Sequence, residues 1–181
     1  PEGRRLSLYS ATVDYSALYS VWDFMNETEE LLMNPELIDH KAIDQSVIHL
    51  AQDEKLRYLI QLLESRDEDP IIIFTNTKQF VETLVANLTY HSIPARGLSS
   101  VIAQKKRLEI LNGFKERAFR VLVATDVASR GLDIEDVELV INYDIPQDPE
   151  TYVHRIGRTA RAGKSGQALS ICSEKDYESL E

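Results

Sequence analysis

The stretch "VLVATD" (residues 121–126) places four consecutive apolar residues directly before a threonine and an aspartate. A short, continuous apolar run is typical of a strand that is buried on both faces, as in a parallel sheet. Two further runs of this kind are "IIIF" (71–74) and "LVIN" (139–142), and polar residues follow each of them. The three runs therefore predict three buried strands of a mostly parallel sheet.

The intervals between these runs carry helical patterns. Apolar residues recur every three or four positions in three segments, 56–63, 80–88 and 108–114. Asp148-Pro149-Glu150 predicts another helix start, because a capping aspartate, a proline in the first turn and a following acid favour a helix N-terminus. The stretch "QALSIC" (167–172) predicts a last strand. Strands that alternate with helices indicate an α/β fold with three layers.

The first 33 residues follow a different pattern. "RRLSLYSAT" (4–12) predicts one strand and "DYSALYSVWDFM" (14–25) one helix, and two elements are too few to form a domain. We therefore expect residues 1–33 to be the tail of a preceding domain, missing from this sequence. Residues 34–44 are expected to be a linker and residues 45–181 the α/β domain.

The composition is that of a globular protein, with 43% hydrophobic and 28% charged residues. No apolar run approaches the roughly 20 residues of a membrane-spanning helix, and the N-terminus lacks a signal-peptide core. Cys172 is the single cysteine, which excludes an internal disulfide. The histidines are far apart in sequence, so we expect no metal site. Together these features favour a cytoplasmic protein with no membrane partner.

The net charge of −10 argues at first against a nucleic-acid partner, but its distribution changes that conclusion. Residues 14–69 carry 14 acidic and 4 basic side chains, whereas residues 70–181 carry 15 and 14. Within the second segment, arginines concentrate in "HRIGRTARAG" (154–163). A nearly neutral C-terminal portion with focused arginines can still bind phosphate locally.

Ligands of open parallel sheets bind at the carboxyl ends of the strands. Thr75 and Thr125 directly follow two of the predicted strands, so both are expected at that edge. The residues after Thr125 bring Arg130, Gly131 and Asp133 to the same edge. Asp133 can accept hydrogen bonds from sugar hydroxyls, or it can cap a turn.

The helix predicted from residue 148 carries the arginine-rich stretch. His154 and Arg158 are four residues apart and Arg161 follows three residues later, so their side chains can share one helical face. Gly157 is expected to loosen or end the helix, which would leave the two arginines at its rim.

These motifs resemble those of DEAD-box RNA helicases in order and approximate spacing. They are "SAT" (10–12), "IIIFTNT" (71–77), "QKKR" (104–107), "VLVATDVASRGLDI" (121–134) and "HRIGRTARAG" (154–163). Over essentially its whole length the chain is similar to the second RecA-like domain of such a helicase, preceded by the end of the first. It is most similar to bacterial members, including the helicase of the RNA-degradation machinery. The resemblance implies a three-layer, RecA-like fold of the P-loop NTPase type.

The resemblance also implies an ATP site shared with another domain. Arg158 and Arg161 match the arginine fingers that reach the γ-phosphate, His154 the residue that couples this site to the other domain, and Asp133 the ATP-ribose contact. The chain contains no G-x-x-x-x-G-K-[ST] phosphate loop and no Asp-Glu-Ala-Asp motif. ATP with Mg²⁺ would therefore be bound mainly by the first domain, and we expect this chain alone to be inactive.

An RNA-binding surface is implied as well. Contacts to the RNA backbone, or support for them, are implied for Thr75, Gln104, Arg107 and Thr125. Coupling of ATP hydrolysis to strand separation is implied for Ser10, Thr12 and Arg130. The implied partners are RNA, the first domain of the same protein and an RNA-degradation complex.

Several of these residues have a second interpretation. Arg155 either pairs with a nearby carboxylate or has a functional role, and the sequence does not decide between the two. Thr75 and Thr77 suit helix caps about as well as RNA contacts. The two lysines before Arg107 are expected to be surface charges, whereas Arg107 is expected to bind RNA.

Two other functions match part of the pattern. A DNA helicase or translocase of the wider superfamily would share the arginine pair, although "HRIGR" (154–158) is less typical of that group than a Gln-x-x-Gly-Arg variant. A non-catalytic docking module would retain the fold but would have no need of both arginines.

One departure from the helicase pattern lies shortly before Gln104. Many relatives carry Gly-Asp where this chain has Ser100-Val101. Valine has no side-chain acceptor with which to cap the following helix. We therefore expect Ser99 or Ser100 to act as the cap or as a phosphate donor, and RNA contact here to be weaker.

Overall fold

The computed structural model describes residues 42–66, 69–129, 134, 137–160 and 165–177. All of these residues belong to one compact unit, Asp39–Glu181. The predicted elements of residues 1–33, including Ser10 and Thr12, lie outside the described residues. The division into tail, linker and domain therefore stays a prediction.

Six described strands form one parallel sheet. They are β1 (Ile43–His49), β2 (Ile71–Phe74), β3 (Ala95–Leu98), β4 (Val121–Ala124), β5 (Leu139–Asn142) and β6 (Gly166–Cys172). Their order across the sheet is β1-β6-β5-β2-β4-β3. The three strands predicted from apolar runs, β5, β2 and β4, therefore lie side by side, and the predicted last strand is β6.

Every residue of these three adjacent strands is buried. Their side chains alternate between two hydrophobic cores, because successive residues of a strand point to opposite faces of the sheet. Ile71 and Ile73 of β2 belong to one core, whereas Ile72 and Phe74 belong to the other. Helices supply the other wall of each core, so the predicted three-layer α/β architecture is confirmed.

Five helices are described, α1 (Lys55–Glu64), α2 (Lys78–Tyr90), α3 (Gln104–Lys115), α4 (Asp126–Ser129) and α5 (Pro149–Ile156). Helices α1 and α2 place leucines such as Leu59 and Leu84 in the first core, whereas α3 places Leu111 and Phe114 in the second. The sequence predicts α1, α2, α3 and α5. Helix α4 has only four residues and leaves no periodic signal.

The start and end of α5 follow the prediction. Asp148 is the N-cap, and its Oδ1 accepts a hydrogen bond from the Thr151 backbone nitrogen at 2.7 Å. Pro149 is the first helical residue and Gly157 is the C-cap. These contacts fix both ends of the helix that precedes Arg158.

Two strands have no counterpart among the predictions. Strand β1 begins at Ile43, inside the predicted linker 34–44, and β3 reads "ARGL". Both are edge strands, where polar side chains are tolerated and a continuous apolar run is not required. Within the described part of the chain, no helix is long and apolar enough to cross a membrane.

Candidate functional site

Polar residues that follow strands β2, β4 and β5 lie together at the carboxyl edge of the sheet. Phe74, the last residue of β2, pairs with Ala124 of β4 and with Asn142 of β5. The residues that follow these strand ends therefore start at the same level. Among them, the Thr75 backbone nitrogen donates to the Ala124 carbonyl at 3.0 Å. Thr75 and Thr125 thus lie at one edge, as predicted, and the loop after β5 begins beside them.

The hydroxyl groups near the end of β2 organise this loop. Thr75 is fully buried, and its Oγ1 donates to the Thr77 carbonyl at 3.1 Å. Thr77 is the N-cap of α2, because its Oγ1 accepts from the Phe80 backbone nitrogen at 3.3 Å. Thr77 thus acts as a helix cap, and Thr75 shapes the loop. Contacts of Thr75 and of the buried Thr125 with RNA stay predictions.

The start of α3 differs from the expected one. Its N-cap is Ala103, which makes no side-chain capping hydrogen bond, so the expected cap at Ser99 or Ser100 is wrong. The reason is position, since the helix starts at Gln104 and these serines lie four and five residues before it. Ser99 is buried as well, and its carbonyl accepts from the Ile102 nitrogen at 3.3 Å. Among the described residues, the N-cap position therefore gives the first amide groups of α3 no side-chain cap.

Arg107 lies one turn into α3 and joins this helix to α4. Its guanidinium donates to the Ala128 carbonyl of α4. Gln104 and the two following lysines are exposed, and Lys106 Nζ lies 3.3 Å from Glu109 Oε2. The uncapped start of α3, Gln104 and Arg107 thus occupy one stretch of surface next to the loop after β4.

The arginine-rich stretch continues beyond α5. His154 is half-buried in the last turn of the helix. Arg158 is also half-buried and lies in the turn after Gly157, with its backbone nitrogen donating to the Arg155 carbonyl at 3.2 Å. Arg158 is therefore at the rim of the helix, as predicted. Other predicted site residues lie outside the described residues, namely Arg161, Asp133, Arg130, Ser10 and Thr12.

Arg155 pairs with a carboxylate, which was one of its two interpretations. The residue is 1% exposed, and its guanidinium binds Asp126 through two hydrogen bonds, from Nε to Oδ1 at 2.7 Å and from Nη2 to Oδ2 at 2.8 Å. Two parallel bonds of this kind are the strongest arrangement of an arginine and a carboxylate. The pairing connects α5 to the first residue of α4.

Three further acceptors complete the surroundings of Arg155. Nη2 donates to Asn76 Oδ1 at 2.8 Å, and Nη1 donates to the Asp144 carbonyl at 2.6 Å and to Asn142 Oδ1 at 3.3 Å. A guanidinium has five N–H groups, so each of them has an acceptor. These acceptors follow or end β2, β4 and β5. The sequence indicates that such polar residues reach this edge but does not indicate their common partner.

A second buried cation lies at the same edge of the sheet. Lys55 is 1% exposed, and its Nζ lies 3.2 Å from Asp176 Oδ2 and 5.1 Å from the centre of the Tyr143 ring. Burial alone would raise the pKa of Asp176, but hydrogen bonds from Ser173 and the charge of Lys55 outweigh it and hold that pKa below its usual value. This ion pair ties the residues after β6 to the first residue of α1.

A small polar cleft opens beside the Arg155–Asp126 pair. Its volume is about 180 Å³, and its walls are Asn76, Asp126, Gln147, Asp148 and Thr151. Sites that enclose drug-sized ligands have volumes of roughly 300–1,000 Å³. The cleft is thus too small to enclose a nucleotide by itself. Among the described residues no group of three His, Cys, Asp or Glu side chains is placed to hold a metal ion.

Sequence comparisons match this chain to helicases. Residues 54–163 match the family model "Helicase conserved C-terminal domain". The chain is 42% identical to the ATP-dependent RNA helicase RhlB of Xanthomonas oryzae pv. oryzae over 177 residues. The matched region covers 98% of this chain and 31% of that protein. The chain thus spans about a third of the length of the curated relatives it matches.

The chain is also similar to solved structures of DEAD-box proteins. The E. coli DEAD-box protein SrmB, solved bound to regulator of ribonuclease activity A, is 38% identical with a TM-score of 0.73, over 76% of this chain and 82% of that chain. S. cerevisiae Dbp5, solved bound to RNA and ADP BeF3, is 30% identical with a TM-score of 0.81, over 99% of this chain and 48% of that chain. The predicted RecA-like fold is therefore confirmed.

Proposed function

Because the chain belongs to the DEAD-box group of helicase C-terminal domains, we propose that it is the second RecA-like half of an ATP-dependent RNA helicase. In this role it supplies arginine side chains to ATP and part of the surface that binds RNA. The observation that carries the proposal is that one helix, α5, connects the two sets of residues. The helix that bears His154 and leads to Arg158 is tied through Arg155 to the loops that follow Thr75 and Thr125.

The ATP part of the proposal rests on arginine at the rim of α5. Arginines that arrive from a second domain stabilise the charge of a transferring phosphoryl group only when the two domains close around ATP. Arg158 and Arg161 have this role in our proposal, with His154 coupling the site to the other domain and Asp133 binding the ribose. The larger part of the site, with the Mg²⁺ ligands, would be held by the first domain, because this chain contains no phosphate loop.

The RNA part rests on the start of α3. Amide groups at a helix N-terminus attract anions, and here the N-cap residue, Ala103, has no side-chain acceptor for them. Gln104 and Arg107 lie within the first turn of this helix. They form the RNA-binding surface that we propose, and the buried Thr75 and Thr125 support it from the loops after β2 and β4. Contacts to phosphate carry no sequence information, so binding would depend on the backbone of the RNA.

The test is RNA-stimulated ATP hydrolysis by the full-length protein. The wild type is expected to hydrolyse ATP faster when single-stranded or duplex RNA is added. Arg158→Ala is expected to lower the RNA-stimulated kcat by about 10³-fold, the low end of the range for an arginine finger. Arg158→Lys is expected to rescue little, since an ammonium lacks the planar fork of donors.

Arg57→Ala is the matched control, because Arg57 is an exposed arginine of α1 whose contact is Glu54. It should keep the wild-type kcat. Stimulation by DNA but not RNA would favour a DNA helicase. Absence of ATP hydrolysis in the wild type, with ATP and RNA both present, would indicate a docking module and reject the proposal.

A further inference from the structure

We propose that Arg155 is a positioning residue that transmits RNA binding to the ATP site by holding α5 rigidly against the loops after β2 and β4. The inference rests on the proposed function and assigns a role to a buried residue for which no contact with RNA or ATP is predicted. Its evidence is the arrangement of acceptors around one buried guanidinium.

The acceptors of Arg155 lie next to residues predicted to bind RNA. Asn76 follows Thr75 directly, and Asp126 follows Thr125 directly. Asp126 also begins α4, whose Ala128 carbonyl accepts a hydrogen bond from Arg107. If these loops move when RNA binds, the acceptors of Arg155 move with them and the Arg155 side chain must follow.

The backbone of Arg155 lies next to the residues predicted to act on ATP. His154 precedes it, and the Arg158 nitrogen donates to its carbonyl at 3.2 Å. Arg155 thus has its side chain among the RNA-side loops and its backbone in the helix that precedes Arg158. One residue spans the two predicted sites.

Burial makes this connection stiff. The guanidinium is 1% exposed, so any hydrogen bond that breaks leaves a charged donor without water to replace the lost acceptor. The bidentate contact to Asp126 also fixes the orientation of both groups. The loops and α5 therefore move together. Catalytic geometry is sensitive to such movement, since a displacement of about 1 Å can reduce a rate by about 100-fold.

Two isosteric substitutions separate this role from plain stabilisation. Asp126→Asn and Asp176→Asn each remove the carboxylate charge beside a cation that is 1% exposed, Arg155 or Lys55. The two carboxylates are similarly exposed, 25% for Asp126 and 17% for Asp176. In the pairs as described, Asp126 contacts Arg155, whereas Asp176 contacts Lys55 and Ser173. Both variants should thus lose stability, but Asp126→Asn alone should disturb coupling.

The measurement is the ratio of RNA-stimulated to RNA-free kcat in the full-length protein, together with the RNA concentration that gives half-maximal stimulation. Assays are made at a temperature where circular dichroism shows each variant folded. Asp126→Asn is expected to lower the ratio about tenfold or more and to raise the half-maximal RNA concentration. Asp176→Asn is expected to keep the wild-type ratio.

A wild-type ratio in folded Asp126→Asn overturns the inference, as does an equal fall of the ratio in both variants. If Asp126→Asn does not fold, Asn76→Ala is used as the test variant instead. It removes one acceptor of Arg155 at an exposed residue and leaves the ion pair of Arg155 with Asp126 in place. A wild-type ratio in Asn76→Ala then overturns the inference, and a lowered ratio supports it. Failure of the wild type to respond to RNA rejects the proposed function instead.

Discussion

Gly166 and Thr159 touch so closely that a Cβ atom on Gly166 would lie 2.0 Å from Thr159 Oγ1. The same Cβ atom would lie 2.7 Å from the backbone nitrogen of Ala160. Thr159 is itself fixed, since its hydroxyl donates to the Val137 carbonyl before β5. The start of β6 therefore holds the turn in which Arg158 lies.

The first prediction concerns this contact. Gly166→Ala should destabilise the domain by about 1–3 kcal/mol, because the added methyl group must displace backbone as well as the threonine side chain. The displaced turn carries Arg158, so the RNA-stimulated kcat of the full-length protein should fall too. Thermal unfolding followed by circular dichroism and steady-state ATP hydrolysis check the two effects.

Gly113→Ala is the control for Gly166→Ala. A Cβ atom on Gly113 would lie 3.2 Å from the Phe119 ring, and the residue is inside α3, where alanine is favoured over glycine by about 1 kcal/mol. Its effect on stability should thus be small. Equal stability of the two alanine variants would contradict the role given to the Gly166 contact.

The second prediction is a pH dependence of stability that comes from Asp176. Its pKa is held below the usual value in the folded state, so the group stabilises the fold at pH values above its unfolded pKa of about 4. That contribution is lost as the pH falls through the lower, folded pKa. Asp176→Asn should therefore cost about 3–5 kcal/mol at neutral pH and progressively less below pH 4.

Urea unfolding between pH 3 and pH 7 measures this difference. Glu109→Gln is the control, because it removes the carboxylate of an exposed ion pair with Lys106, for which a change of about 0–1 kcal/mol is expected. A difference between wild type and Asp176→Asn that does not change with pH would show that the carboxylate charge is not the stabilising feature.

The strands of the sheet centre are predictable from the sequence, whereas the edges are not. Strands β2, β4 and β5 are covered on both faces, so nearly every position must be apolar, and a run of four such residues is visible. Strand β3 reads "ARGL" and is the last described strand of the sheet, with a neighbouring strand on one side only. Its strand character comes from pairing with β4, a partner that lies more than twenty residues later in the chain.

The candidate site, too, is predictable from the sequence only in part. Thr75 and Thr125 are predictable at the carboxyl edge because each follows an apolar run. The pairing of Arg155 with Asn76 and Asp126 is not, since it depends on the strand order β5-β2-β4, which differs from the order along the chain. The prediction of a serine cap for α3 is wrong for a local reason. The sequence contains candidate serines, but the helix begins after Ala103, so neither serine occupies the N-cap position.

The third prediction concerns Arg107. Arg107→Ala in the full-length protein should weaken RNA binding and reduce the slope of log K against log salt concentration by about one unit, because one phosphate contact is lost. The change should be the same for RNAs of different sequence. Fluorescence titrations from low to moderate salt measure the slope. Lys115→Ala, at the other end of α3, is the control, and an unchanged slope in Arg107→Ala would restrict Arg107 to its contact with Ala128.

The last prediction uses the missing cap of α3. Ala103 has φ −57° and ψ 143°, an extended conformation suited to a capping side chain. Ala103→Asn and Ala103→Asp should both stabilise the domain by about 0.5–2 kcal/mol, because each side chain can accept hydrogen bonds from the amide groups of the first turn. Their effects on RNA should differ, since the same amide groups are proposed to meet phosphate.

Asparagine at position 103 competes with phosphate for the helix N-terminus but adds no charge, whereas aspartate also repels the RNA backbone. Ala103→Asn should weaken RNA binding modestly, and Ala103→Asp should weaken it further, with the gap between the two variants narrowing as salt screens the repulsion. Urea unfolding and RNA titration at two salt concentrations are sufficient to measure these effects. Equal RNA affinities for wild type, Ala103→Asn and Ala103→Asp, with the expected gain in stability, would place the RNA away from the start of α3.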